Sequence, residues 1–251
     1  MIKIAHLYPE LLNLYGEDGN LKAITYALST LNIEYSITNL TINSKFDICN
    51  YDFIYIGAGT EENLKIVAND IKKYTDDLKK YIENNKILLS TGNSLDLFGQ
   101  YIKLPNDEKI STLDIFNFSS IENEKRIVSE VMFKMGTIEP LIGFYNNKIS
   151  INEATVKNYN PLFEIYKTIG VDKNEFKFNG VTKNNFYGTH ILGPILARNP
   201  ELLKFFIARI IEISDVKNEN LNSSLDLHFE YLAREEFIKN YYDKKKKSKI
   251  R

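Results

Sequence analysis

Apolar positions in the first hundred residues follow two rhythms. Strand-like runs at Ile2–Leu7, Glu34–Thr41, Tyr51–Ile56 and Ile87–Ser90 are dense in β-branched, aromatic or leucine side chains. Between them, apolar residues return every three or four positions, as at Leu21, Ile24, Leu28 and Leu31. The first pattern fits strands, some covered on both faces, and the second fits one face of a helix. Asn20 is placed to cap that helix, which runs through Leu31. A longer helical pattern spans about Glu61 to Asn84. Strand and helix therefore alternate, which predicts an α/β fold with a mostly parallel, doubly wound sheet and Ile87–Ser90 near its centre.

From Thr112 to Ile191 the character changes. Arg126–Phe133, Leu141–Phe144, Lys148–Ile151 and Phe186–Ile191 are short strand-like segments, and Asn146-Asn147 and Asn184-Asn185 are candidate hairpin turns. Additional short antiparallel strands are expected here. Two helices follow. Asn199-Pro200-Glu201 supplies a cap, a first-turn proline and an acid that suits the helix dipole. Ser223 or Ser224 can cap the second, which runs to about Asp243. Residues 1–243 are expected to form a single domain, and the basic KKKKSKIR tail at 244–251 a frayed, solvated terminus.

Composition narrows the function classes. A net charge of −1 gives no reason to expect nucleic acid or a charged membrane as partner. No apolar run approaches the roughly 20 residues of a membrane span. Met1-Ile2-Lys3-Ile4 leads straight into a strand-like segment, so no signal peptide is expected. The one cysteine excludes an internal disulfide and a cysteine-rich metal site, and points to a reducing compartment. A cytoplasmic protein is expected.

The chemistry concentrates on KILLSTGNSLDLFG, Lys86–Gly99. A buried strand, the tight turn Thr91-Gly92-Asn93-Ser94 and a helix starting near Ser94 or Leu95 form the setting of a nucleophile elbow. Such a turn holds a side chain beside N–H groups that can stabilise an oxyanion. No cysteine stands there. Gly57-Ala58-Gly59-Thr60, after another strand, either presents N–H groups to an anion or is a strand–helix turn that needs small residues; its spacing leaves both open. It lacks the later glycine of a dinucleotide fingerprint. Cys49 precedes its strand, about 16–20 Å from the elbow, and is read as structural or incidental. His6 is read as a packed residue, His228 as a surface residue within the last helix, and His190 as the best site candidate of the three. No His, Asp or Glu cluster has metal-ligand spacing.

Several stretches together resemble one family. HLYPELLNLYGEDGN (His6–Asn20), GAGTEENL (Gly57–Leu64), the elbow with Leu97-Phe98-Gly99, GTHILGPILARNPELL (Gly188–Leu203) and LDLHFEYLAREE (Leu225–Glu236) occur in an order similar to the CobB/CobQ-like class I glutamine amidotransferases. Within these the set is most similar to the glutaminase subunits of lipid II isoglutaminyl synthases, which amidate a peptidoglycan precursor together with a Mur-ligase-like subunit. The resemblance implies a flavodoxin-like amidotransferase fold and no cofactor or metal.

In that family a cysteine at the elbow attacks the glutamine amide, a histidine acts as its base, and backbone N–H groups of the glycine-rich loop and elbow form the oxyanion hole. The resemblance puts the cysteine position on Gly92 and the histidine position on Leu192, with His190 on a preceding tyrosine position. It puts oxyanion and substrate contacts on Gly57, Ala58, Gly59, Asn93 and Ser94, and a glutamine-holding arginine on Arg126. Ala58 replaces a glycine, and Gly143-Phe144-Tyr145-Asn146-Asn147 lacks the family's Asn-His. Two independent departures at the dyad lead us to expect a chain inactive as a glutaminase, acting as a binding or regulatory partner of a Mur-ligase-like subunit. The alternative is an active amidotransferase that uses a Ser or Thr hydroxyl with His190, two residues from the matched position on the same strand face but displaced by about 6.6 Å.

Overall fold

The computed structural model describes residues 1–155, 159–172, 177–214, 216 and 225–243. The chain runs β1 (Ile2–Leu7), α1 (Asp18–Thr30), β2 (Tyr35–Leu40), β3 (Phe53–Ile56), α2 (Glu61–Ile71), α3 (Thr75–Glu83) and β4 (Ile87–Thr91). It continues through β5 (Tyr101–Lys103), β6 (Lys109–Ser111), β7 (Ser120–Met135), β8 (Ile138–Ile151), β9 (Phe163–Ile169) and β10 (Phe178–Asn179). Then come β11 (Val181–Lys183), β12 (Phe186–Thr189), β13 (Ile191–Leu192), α4 (Ile195–Arg198), α5 (Pro200–Ile213) and α6 (His228–Ile238).

One sheet has the order β11-β12-β4-β3-β1-β2 and is parallel except for β11. The α/β architecture and the interior place of β4 are as the alternation predicts. Both faces are covered, and strand periodicity divides them. Phe53, Tyr55, Ile87 and Leu89 pack with α1, α4 and α5, whereas Ile54, Ile56 and Leu88 pack with α2 and α3. That division explains why FIYI is apolar at every position.

The second sheet is built on the hairpin of β7 and β8, flanked by β9, β10, β5 and β6, and it receives β13 on β8. Here the sequence reading needs correction. The segments taken as short belong to strands of 16 and 14 residues. Asn146-Asn147 is not a turn but lies within β8, and the irregularity is opposite it. Glu122 pairs with Ile149 and Ile127 with Asn147, so residues 123–126 bulge from β7. Asn147 Oδ1 accepts from Ile149 N (3.0 Å) and Asn123 Nδ2 donates to Lys148 O (3.0 Å), bonds that satisfy the broken ladder. The Asn184-Asn185 turn does join β11 to β12, with Asn184 at φ +55.

Other departures have local causes. The long helical pattern splits into α2 and α3 around a 3-10 turn at Lys72–Tyr74. There Tyr74 is buried, stacks on Phe46 (4.3 Å) and donates its hydroxyl to Ser44 O. Asn20 lies inside α1 rather than capping it; its Nδ2 donates to Tyr55 Oη (2.9 Å) and its Oδ1 accepts from Leu196 N (2.8 Å). Asn199 makes no capping bond either. Fully buried, it accepts from Ile142 N and donates to Ile142 O and Ile195 O, each at 2.8 Å, and so ties α4 to β8. His228, by contrast, is an exposed residue of the last helix as the sequence predicts, at the first position of α6. The proposed caps at Ser223 and Ser224 and the tail 244–251 lie outside the described residues.

Asn199→Ala is expected to cost about 2–3 kcal/mol in urea unfolding, because Ile142 loses its partners inside the core. A loss below about 0.5 kcal/mol would contradict a clamp there.

Candidate functional site

The carboxyl ends of β3 and β4 bring two loops side by side, as adjacent parallel strands must. After β3, Gly57 and Gly59 pass so close to the preceding loop that a Cβ would lie 2.5 Å from Leu12 O and 2.6 Å from Leu11 O respectively. These glycines are therefore set by backbone approach, and Thr60 caps α2 by accepting from Asn63 N (3.1 Å). After β4, Gly92 turns the chain at φ +65, a region that disfavours side chains. A Cβ built there would meet Ala58 Cβ at 2.4 Å and Leu192 Cδ2 at 2.6 Å. Positions 58, 92 and 192, more than thirty residues apart in sequence, meet at one point. The ground that a side chain at 92 would need is held by a methyl group and a leucine.

Asn93 closes the same point from the other side. Its Oδ1 accepts from Gly59 N (3.0 Å) and its Nδ2 donates to Gly59 O (2.8 Å), so one buried carboxamide pairs with both backbone groups of Gly59. The Gly59 N–H has its acceptor within the chain. Ser94 is equally committed: its hydroxyl lies 2.8 Å from Ser90 Oγ, 2.9 Å from Thr91 O and 3.2 Å from Ile56 O.

No α-helix follows the elbow. Gly92–Phe98 is a run of 3-10 turns with every residue buried. It stops because the carbonyls of Leu97, Phe98 and Gly99 accept from Leu113, Phe116 and Asp114 instead of from later residues of a helix.

His190 sits elsewhere. β12 belongs to the parallel sheet and β13 to the other, so the chain changes sheet at His190 and strand alternation does not carry from 190 to 192. Its Nε2 is 3.0 Å from both oxygens of Asp96, which is fully buried and also accepts from Ser120 Oγ (2.5 Å). His190 thus braces the 3-10 turns against β7 and is not paired with Ser90, Thr91 or Ser94. His6 is buried with Nδ1 3.8 Å from Asp18, and burial holds its pKa below the usual value. Cys49 lies in the 3-10 turn Ile48–Asn50, at the opposite end of β3 from the Gly57–Gly59 loop. Among the described residues no group of three or more His, Cys, Asp or Glu is placed to hold a metal.

A cavity of about 320 Å³ opens above this floor. Ala58, Leu192 and Leu14 supply apolar lining, Tyr15 stands at its side, and Arg126 and Glu61 belong to its more exposed wall. The β7 bulge delivers Arg126 there, where Nη2 donates to Glu61 Oε1 and Nη1 reaches Asn146 O and Oδ1, both at 3.4 Å.

Sequence reasoning overlooked Glu17. It reads as a loop acid in Gly16-Glu17-Asp18-Gly19, yet its side chain is fully buried behind the elbow. Oε1 accepts from Gly193 N (3.1 Å), and Oε2 accepts from Thr91 Oγ1 and from Tyr55 Oη (3.0 Å). Burial raises its pKa from 4.5 to about 7, against the lowering effect of these three donors. An acid between two glycines gives no periodic signal; its role emerges only when α1, β3, β4 and Gly193 converge.

Comparison with known proteins gives this geometry a context. The sequence pattern of the CobB/CobQ-like glutamine amidotransferase domain matches residues 3–200. The lipid II isoglutaminyl synthase (glutamine-hydrolyzing) subunit GatD of Streptococcus pneumoniae is 25% identical over 250 residues, covering 98% of this chain and 93% of that protein. GatD of Staphylococcus aureus is 25% identical over 214 residues, covering 84% and 85%. The solved glutaminase domain of Trypanosoma brucei CTPS with bound acivicin shares the fold at a TM-score of 0.54 and 10% identity, over 90% of this chain and 98% of that one.

Glu17 carries a pH signature. Its raised pKa favours the folded state fully below about pH 4.5, and that contribution is lost as pH rises through about 7, a total of about 3 kcal/mol. Glu17→Gln is expected to remove this slope, so the stability difference between variant and parent should swing toward the variant by that amount between pH 4.5 and 8. Parallel stability curves for the two proteins would contradict it.

Proposed function

The chain belongs to the CobB/CobQ-like glutamine amidotransferase family, and we propose that it is a member that does not hydrolyse glutamine but serves as a binding or regulatory subunit. The observation that carries this is the mutual fit of Gly92, Ala58 and Leu192. Hydrolysis of a carboxamide through a covalent intermediate needs a nucleophile, a base to take its proton and donors for the oxyanion. At the positions the resemblance assigns to the nucleophile and base stand a hydrogen and an isobutyl group. The N–H of Gly59, in the loop assigned to the oxyanion hole, is bonded to Asn93 Oδ1. Loss of a nucleophile or its base alone costs on the order of 10⁶ in turnover in a well-studied hydrolase.

The partner follows from the relatives, which are named as subunits of lipid II isoglutaminyl synthase. On that basis the chain pairs with a Mur-ligase-like subunit in amidation of a peptidoglycan precursor, in the cytoplasm. No described helix is long and apolar enough to cross a membrane.

The purified complex is expected to release no ammonia from glutamine above a blank. Glutamate formation that disappears in Ser94→Ala or His190→Ala would overturn the reading. Restoring chemistry should take more than the dyad, because Gly92→Cys with Leu192→His still meets Ala58 and leaves Gly59 paired to Asn93. Adding Ala58→Gly and Asn93→Gly is expected to give a folded protein whose introduced thiol is alkylated faster near neutral pH than Cys49, as a neighbouring imidazolium favours thiolate. The double variant should be less stable than the triple variant that adds Ala58→Gly alone, which removes the methyl group a side chain at 92 would meet.

A further inference from the structure

We infer that the chain pairs with a second copy of itself through the free edge of β2, extending the parallel sheet across a two-fold axis. The backbone prepares this contact. Ile2 N donates to Glu34 O and Tyr8 N to Leu40 O, both at 2.7 Å. Even-numbered residues of β2 therefore turn their N–H and C=O groups toward β1. Tyr35, Ile37 and Asn39 point theirs the other way, where among the described residues no strand pairs with β2. The free stretch ends at Thr41, whose N–H donates to Ser44 Oγ (3.1 Å).

The other strand edges are protected and this one is not. At the far side of the same sheet, β11 is bridged by Asn160 at Thr182. In the second sheet β10 and β13 have two residues each, and β6 has three with Lys109 among them. Short length and an edge lysine are devices that keep a strand from pairing with another chain. β2 uses neither. Its six residues, YSITNL, include no charge and no proline, and Ile37, Thr38 and Asn39 at its middle are exposed.

A second copy fits because this edge is its own complement. Antiparallel pairing centred on Ile37 sets Ile37 against Ile37 of the second copy, and Tyr35 against its Asn39. Each such pair joins outward-facing groups and exchanges two hydrogen bonds. Glu34 falls across from Leu40, so no like charges meet along the strands. An apolar patch continues the contact beside the axis, where Ile37 is 42% and Tyr26 of α1 is 52% exposed. Ser29 Oγ bonds Tyr35 Oη (3.4 Å), so α1 flanks this edge. Tyr26 lies about one turn earlier on the same helix face, which places it level with Ile37. Pairing occupies β2 in both copies, and with β11 bridged the assembly closes as a dimer.

Sedimentation of the purified chain from low to high micromolar concentration is expected to show a monomer–dimer equilibrium. Ile37→Lys and Ile37→Glu put like charges on the axis and should each weaken the dimer at least about tenfold, whereas an equimolar mixture of the two should regain it. Melting curves report that both variants are folded. With Cys49→Ser as background, mild oxidation should link Ile37→Cys chains to each other. Asn39→Cys chains should stay unlinked, because the two copies of that residue lie about 14 Å apart in this register. A chain that is monomeric throughout, a dimer indifferent to either charge at 37, or open polymers would each overturn the inference. So would a monomer that loses a Mur-ligase-like partner with Ile37→Lys, which would assign the edge to that partner.

Discussion

The site is governed by a shortage of space at the carboxyl end of β4. Parallel pairing of β3 with β4 sets the Gly57–Thr60 loop against Gly92, and pairing of β13 with β8 brings Leu192 over both. Position 92 has a positive φ, and a Cβ there would be 2.4 Å from one neighbour and 2.6 Å from another. Neither neighbour is the free end of a long side chain on a mobile loop: one is a Cβ fixed to backbone, the other a leucine that is 2% exposed. The three residues are therefore one unit. A side chain added at Gly92 collides with the other two, and Asn93 adds a fourth tie through Gly59.

Behind this closed floor the polar scaffold is intact. Glu17, Tyr55, Thr91 and Asn20 join α1, β3, β4 and α4 through bonds of 2.8–3.1 Å and the shorter Thr91–Glu17 contact. A carboxyl raised to about 7 by burial is an expensive way to hold a turn in place. The second buried polar group, His190 with Asp96 and Ser120, braces the far side of the elbow. Removing one partner would leave a buried polar group unsatisfied, at a cost of about 1–3 kcal/mol. Both networks act on the shape of the elbow.

Much of this was legible in the sequence where the physics is local. The alternation of strand and helix through residue 100 predicted the parallel sheet and the interior place of β4, and three of the positions that the resemblance singled out, Ala58, Gly92 and Leu192, meet in space. What the sequence concealed was non-local. Asn146-Asn147 has the composition of a turn, but its partner strand absorbs the irregularity as a bulge. The helix expected after Ser94 fails because residues 113–116 take its carbonyls. His190 looked like a neighbour of Leu192 because two residues apart on one strand share a face; a change of sheet between them removes that relation. Glu17 lacked any periodic or motif signal of its own.

The pairing of Asn93 with Gly59 ties the two loops that make the closed floor, and amide hydrogen exchange reads it at a single atom. With ¹⁵N-labelled protein, the Gly59 N–H is predicted to be protected in the parent chain and to exchange at least about tenfold faster in Asn93→Gly, with β3 amides unchanged, as expected for loss of one buried hydrogen bond. Unprotected exchange at Gly59 in the parent chain, or the same rate in both proteins, would contradict the account.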